Sequence, residues 1–189
     1  MNVSFSETRP QRFRDREIVF PNGVAGRNIE VPSASPLNYY QAISAAADMP
    51  AITVDGKLFM PAGHDHAARP VPLIIVVPGS LGVAPSHLKH AETLNAAGYA
   101  TFVLDSFAAR GVSSTVAKQT QFSFAASAYD VLAAWKVLQA LPGIDAARIA
   151  AQGHSRGGSA ILTAATRRFA DAVIGPDHAL AGVLPAYPW

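Results

Sequence analysis

The sequence contains no cysteine. That excludes disulfides, thiolate nucleophiles and cysteine-bound metals, without fixing the compartment. Charged residues make up only 15% of the chain and the formal net charge is +2. With no Lys/Arg cluster and no interleaved aromatics, nucleic acid is not an expected partner. No apolar run approaches the roughly 20 residues that a membrane span requires. The opening residues, MNVSFSETRPQRFRDRE, lack the apolar stretch of a signal peptide, so a soluble, cytoplasmic protein with no membrane partner is expected. Metal-ligand spacings, a Walker-type loop and a Gly-x-Gly-x-x-Gly loop are also missing, and no cofactor and no metal are expected.

What is present is a chain of 189 residues, half of them hydrophobic, enough for one domain with a substantial core. Residues 1–50 read as an N-terminal extension. Within it, Arg16 to Phe20 and Arg27 to Val31 read as short strands around the turn Pro21-Asn22-Gly23, and Leu37 to Ala47 as a short helix. Residues 51–189 read as the main fold. Ile52 to Met60 is a strand with Asp55-Gly56 as a turn or bulge, followed by a loop from Pro61 to Pro72. Leu73 to Val77 is a continuous β-branched run suited to a buried central strand. After it come a helix over Ser86 to Ala97, a strand over Tyr99 to Leu104 and a polar loop over Ala108 to Thr120. A long helix over Phe122 to Leu141 follows, stopped by Pro142-Gly143. A strand over Arg148 to Gln152, a helix over Gly157 to Phe169 and a last strand over Leu180 to Ala186 complete the pattern. The alternation predicts an α/β fold, a mostly parallel doubly wound sheet whose strands share one carboxyl edge, where ligands bind.

One stretch, Ile149 to Ser159 (IAAQGHSRGGS), carries chemistry. An apolar strand enters a helix through Gly153-His154-Ser155-Arg156-Gly157, the Gly-x-Ser-x-Gly pattern of a nucleophile elbow. A serine hydroxyl attacks well only when presented clear of the backbone beside a base. A tight turn presents it, at the cost of strain on the serine, and close neighbours leave no room for side chains at Gly153 and Gly157. The following helix points its N–H groups at the same place. Ser155 is the candidate nucleophile. Acyl transfer also needs donors where negative charge develops. The Arg156 backbone N–H is one candidate. The other comes from Pro78-Gly79-Ser80-Leu81-Gly82, through the Ser80 N–H or, next to it, that of Leu81.

The run Asp145-Ala-Ala-Arg148-Ile149 with Gly153-His154-Ser155-Arg156-Gly157-Gly158 resembles the α/β-hydrolases, and within them the dienelactone hydrolase-like family. Pro78-Gly-Ser-Leu-Gly82 is similar to that family's His-Gly-x-x-Gly loop, with proline for histidine. Asp105-Ser-Phe-Ala-Ala-Arg110-Gly111 resembles its Asp-x-x-x-x-Arg-Gly segment. There Asp105 is expected to hold loop N–H groups, and Arg110 to pair with it or face a substrate acid. His154, next to the nucleophile, is expected to be structural.

A serine triad also needs a histidine and a carboxylate, in this fold in the order serine, acid, histidine. After Ser155 only Asp171, Asp177 and His178 remain. Asp177 and His178 precede the last strand and belong to its amino edge, about 17–20 Å from the serine's edge. His64 and His66 precede a strand and are excluded likewise. His87 and His90 follow the first parallel strand, on a helix expected to point them to solvent. The resemblance covers about Ile52 to Trp189, through the sixth strand of an eight-strand plan in which the acid follows the seventh and the histidine the eighth. It implies the N-terminal part of a longer hydrolase with about six of eight strands, and an exposed edge strand.

The reading that follows is a serine hydrolase acting on a small-molecule carboxylic ester or lactone through an acyl-enzyme on Ser155, with Arg156 and Ser80 at the oxyanion and with little or no activity in this chain alone. A non-catalytic binding protein of the same fold and an acyltransferase using the same elbow are the alternatives. The sequence leaves the oligomeric state open.

Overall fold

The structure is a computed structural model that describes residues 12–63 and 68–189. Its sheet contains strands β1 (Arg27–Ala34), β2 (Ala51–Phe59), β3 (Val71–Val77), β4 (Ala100–Asp105), β5 (Ile144–His154) and β6 (Val183–Ala186). Their order across the sheet is β1-β2-β4-β3-β5-β6. β3 pairs in parallel with both β4 and β5, and β6 is parallel to β5, whereas β2 runs antiparallel to β1 and β4. The expected parallel sheet is therefore present from Leu73 onward, with an antiparallel margin that includes β1 from the first fifty residues.

The described residues also form five α-helices, α1 (Tyr39–Ser44), α2 (Pro85–Ala96), α3 (Phe124–Leu138), α4 (Arg156–Ala164) and α5 (Arg167–Ile174), of which α2, α3 and α4 pack on strands and α1 packs on α3 and α5. The larger core lies on the face covered by α3, α4 and α5, where Leu73, Ile75, Val77, Phe102 and Leu104 meet Leu132, Trp135 and Ile161. The opposite face buries Phe59, Val76 and Val103 with Phe13, Phe20 and Ala91 of α2. Successive residues of β3 and β4 thus go to opposite cores, which is why both strands read as unbroken apolar runs.

Local signals set the helix ends. Ser123 Oγ accepts the Ala126 N–H (2.9 Å) at the start of α3, and Asn38 Oδ1 accepts the Gln41 N–H (2.9 Å) at the start of α1, both side-chain caps of orphan donors. Pro85 opens α2, where its missing N–H costs nothing. The turn at Pro21-Asn22-Gly23 forms, with Gly23 N–H on Phe20 O (2.8 Å) and φ 83° at the glycine.

Three expectations about elements are corrected. Arg16 to Phe20 is not a strand; only Val19 makes an isolated bridge, to Ala25. Asp55-Gly56 is neither turn nor bulge but the middle of β2, and the glycine is required because a side chain there would collide with the Phe102 ring and Val103 O of β4. The single helix expected over Gly157 to Phe169 is two, α4 and α5, parted at Ala165-Thr166, where Thr166 Oγ1 turns back onto Thr163 O (2.7 Å). Such a local side-chain bond competes with continued helix. The long helix occupies Phe124 to Leu138 within the expected Phe122 to Leu141, with Ala126, Ala133, Trp135 and Leu138 buried and Tyr129 half-buried.

Candidate active site

β5 ends at His154 and α4 starts at Arg156, so the chain reverses on one residue. That residue, Ser155, has φ 49° and ψ −119°, a region that side-chain-bearing residues adopt only under strain. Its N–H is tied to Ala186 O of β6 (2.9 Å). The flanking glycines are there for space. A Cβ on Gly153 would lie 2.5 Å from the Gly157 backbone, and one on Gly157 would collide with the carbonyl oxygens of Val77 and Pro78 at the end of β3. Helix α4 therefore rests directly on the carboxyl ends of β3 and β5.

The Gly79–Gly82 loop faces this turn. A Cβ on Gly79 would stand 3.1 Å from His154 O and 3.5 Å from Ser155 Cβ. Within the loop, Gly79 O accepts the Gly82 N–H (3.0 Å) and Ser80 O accepts the Thr115 N–H (2.7 Å). Among the described residues, the backbone N–H groups of Ser80, Leu81 and Arg156 have no hydrogen-bond acceptor. Three candidate donors, one directly after the half-buried Ser155 and two in the loop packed against its turn, thus remain unengaged. A cavity of about 710 Å³ opens beside Leu81 and Gly82, with Asp105, Phe107, Arg12 and Arg16 in its walls.

The Arg156 side chain turns away from Ser155 and is fully buried. Its guanidinium donates to Phe122 O (2.7 Å), Ser123 O (2.9 Å), Gln119 O (2.9 Å) and Ser127 Oγ (3.1 Å). The Phe122 and Phe124 rings lie 4.3 and 4.2 Å from its centre, and Phe124 stacks in turn on Trp189 at 5.4 Å. Burial without a carboxylate partner pushes its pKa down to about 10. The group still carries its charge at neutral pH.

Asp105 holds loop N–H groups, as expected: its Oδ1 accepts from Phe107 (2.9 Å) and Ala108 (3.2 Å), and burial raises its pKa. Arg110 neither pairs with Asp105 nor faces open solvent. It binds Asp130 of α3 through two bonds, Nη1 to Oδ2 (2.6 Å) and Nη2 to Oδ1 (3.1 Å), with Ser106 O and Ala34 O as further acceptors. Asp130 and Gln119 are the residues that sequence reasoning missed. Asp130 left a trace, a lone carboxylate in the apolar run ASAYDVLAAW; Gln119 left none.

The histidines also depart from expectation. α2 turns His87 and His90 inward rather than to solvent, because its buried stripe is His87, Ala91 and Asn95, at i, i+4 and i+8. The His154 ring packs against His90 at 4.7 Å and His87 at 5.8 Å. His87 Nδ1 accepts the Ala84 N–H (3.0 Å), which leaves its proton on Nε2. Desolvation first, then the neighbouring His154, lowers the His87 pKa to about 4. These histidines engage one another and Gln152 (2.7 Å from His90), while Ser155 Oγ has no hydrogen-bonding partner among the described residues. His64 and His66 lie outside the described residues.

Asp171 pairs with Arg167 (3.6 Å), and Asp177 and His178 are exposed, with the His178 ring 5.4 Å from Trp135. Val183 lies opposite Ala151 and Ala186 opposite His154. His178 therefore precedes the amino end of β6, and the four residue steps from Ala151 to Ser155 alone span about 13 Å. Among the described residues, no cluster of three or more His, Asp or Glu could hold a metal ion, and no helix is long and apolar enough to cross a membrane.

No protein-family model and no curated protein sequence matches the chain. Solved structures do. A putative dienelactone hydrolase from Klebsiella pneumoniae aligns at TM-score 0.54 and 18% identity, over 75% of this chain and 57% of its own. A dienelactone hydrolase from Anabaena variabilis aligns at 0.52 and 20%, over 74% and 57%. A Butyrivibrio proteoclasticus protein with ferulic acid bound aligns at 0.51 and 23%, over 65% and 46%. The chain has the α/β-hydrolase fold. Within this fold Ser155 occupies the strand-to-helix turn after β5, and the chain spans about half the length of these hydrolase-fold structures.

Proposed function

We propose that this chain is a serine hydrolase of the dienelactone hydrolase-like type, acting on a carboxylic ester or lactone. Ser155 Oγ attacks the carbonyl carbon and gives up its proton to a base. The carbonyl oxygen becomes an oxyanion held by the Arg156 N–H and by the Ser80 or Leu81 N–H. Collapse expels the alcohol, leaving an acyl group on Ser155, and water releases it as the acid. The observation that carries the reading is the strained Ser155, φ 49°, with Gly79 of the Gly79–Gly82 loop packed against its turn and the Ser80, Leu81 and Arg156 N–H groups left without acceptors. Dienelactone hydrolases and a ferulic-acid-binding protein among the structural neighbours support an ester or lactone substrate.

Because no described histidine or carboxylate bonds to Ser155, the chain alone is expected to be inactive or very weak: a serine hydroxyl without a base is a poor nucleophile. A non-catalytic binding protein is the second reading, favoured by that same missing partner. Fluorophosphonate labelling separates the two. Slow labelling that accelerates with imidazole as an external base, and disappears in Ser155→Ala, supports the hydrolase. Rapid labelling without imidazole would refute the inactivity. Protein-dependent turnover of activated esters, above the blank with imidazole alone, that Ser155→Ala leaves unchanged would remove Ser155 from the mechanism.

A further inference from the structure

Gln119 lies in the loop between β4 and α3 and touches both walls of the proposed oxyanion hole. Its Oε1 accepts from Ser80 Oγ (3.1 Å), Arg156 Nη1 (3.4 Å) and Thr115 Oγ1 (3.4 Å). Its backbone carbonyl takes the Arg156 Nη1 at 2.9 Å. Thr115 in turn holds Ser80, its N–H on Ser80 O at 2.7 Å, with Ser114 Oγ on the same oxygen at 3.1 Å. One side-chain oxygen thus joins the residue after the nucleophile to the loop facing it.

We propose that Gln119 is a positioning residue that fixes the separation and direction of the oxyanion-hole amides. The inference rests on the serine-hydrolase reading and deepens it. Two constraints make the joint effective. The Ser80–Leu81 peptide is planar and trans, as are all peptides described here; its C=O and N–H therefore point in opposite directions, and fastening Ser80 O to Thr115 fixes the direction of the Leu81 N–H. On the other side, the Arg156 guanidinium anchors the first turn of α4, whose leading N–H is the second donor. An oxyanion hole works only if its donors are already in place when charge develops, and a misplacement near 1 Å costs about a hundredfold in rate. The chemistry demanded at position 119 is specific. The Arg156 guanidinium can only donate and the Ser80 hydroxyl can, so an acceptor atom at Oε1 satisfies both. Glutamate provides one and leucine does not.

Gln119→Leu tests this, with Gln119→Glu as the conservative rescue. The leucine variant should fold, since Arg156 keeps its acceptors on Gln119 O, Phe122 O, Ser123 O and Ser127 Oγ. Imidazole-assisted phosphonylation of Ser155 is measured against probe concentration. In Gln119→Leu the limiting rate is expected to fall about tenfold or more, with half-saturation unmoved, and Gln119→Glu to recover most of it. A Gln119→Leu rate equal to wild type would overturn the proposal. If wild type is not labelled at all, the hydrolase reading fails, and backbone amide resonances then decide the inference alone. Shifts at both Leu81 and Arg156 in Gln119→Leu that revert in Gln119→Glu sustain the joint. Unmoved resonances at either residue sink it.

Discussion

Ser155 is where this chain departs furthest from ordinary backbone geometry. A φ of 49° with ψ −119° costs on the order of 1–3 kcal/mol for a residue with a Cβ. The surroundings hold it there: the Ala186 carbonyl on its N–H, and glycines at 153 and 157 with no space for side chains. The strain is independent of any reaction and can be measured without a substrate. Ser155→Gly removes the Cβ and with it most of the penalty, whereas Ser155→Ala keeps it. The glycine variant should therefore unfold at higher denaturant than the alanine variant, by about 1 kcal/mol. Equal midpoints in urea titrations would mean that the turn is not strained as described.

Between elements, the fold is bolted by buried polar contacts that apolar periodicity cannot reveal. Arg110, in the loop after β4, joins Asp130 of α3 and Ala34 O at the end of β1. The pair is almost fully buried, and Ser33 Oγ adds a bond to Asp130 Oδ1 (2.5 Å). Removing one partner strands the other charge inside the protein, so Asp130→Ala should cost about 3–5 kcal/mol, visible as a large loss of thermal stability. A loss no greater than that of an exposed pair such as Lys89–Glu92 would show that Arg110 finds water or another acceptor. These contacts also mark the limit of what the sequence conveys. The strands β3 and β4 were legible because apolar runs of that length have few alternatives, and the elbow was legible because its glycines and serine are each required by geometry. α2 was placed correctly but faced the wrong way, since its inward stripe is built from His87, Ala91 and Asn95 rather than large apolar residues. Gln119 and Asp130 act through partners that lie 39 and 20 residues away in the chain, and no spacing rule connects such positions. Pro185 shows a further compromise. Gly182 O and Ala186 O point toward β5, so the missing N–H of Pro185 falls on the outer side of β6 and the β5–β6 ladder loses no donor.

At the scale of the whole molecule, the histidine cluster beneath the elbow ties stability to pH. His87 is buried, packed with His154 and close to His90, and its pKa is lowered from 6.5 to about 4. In the unfolded chain it takes up a proton near pH 6.5, whereas in the folded one it stays neutral until about pH 4. Its contribution is fully present above pH 6.5. It declines as pH falls through the window between these values, because the unfolded state binds the proton first. Asp55 and Asp105 act in the opposite direction: burial raises both pKa values, so the folded state protonates them more readily and gains relative stability on acidification. The net acid response is therefore a difference, and the histidine share is isolated by comparison with His87→Asn, whose amide oxygen can still accept the Ala84 N–H. Urea unfolding measured at pH 7 and pH 4.5 should show a smaller loss of stability in the variant than in the wild type. Identical pH dependence in the two proteins would mean that His87 is protonated in the folded state, and that the cluster is more open to water than its burial implies.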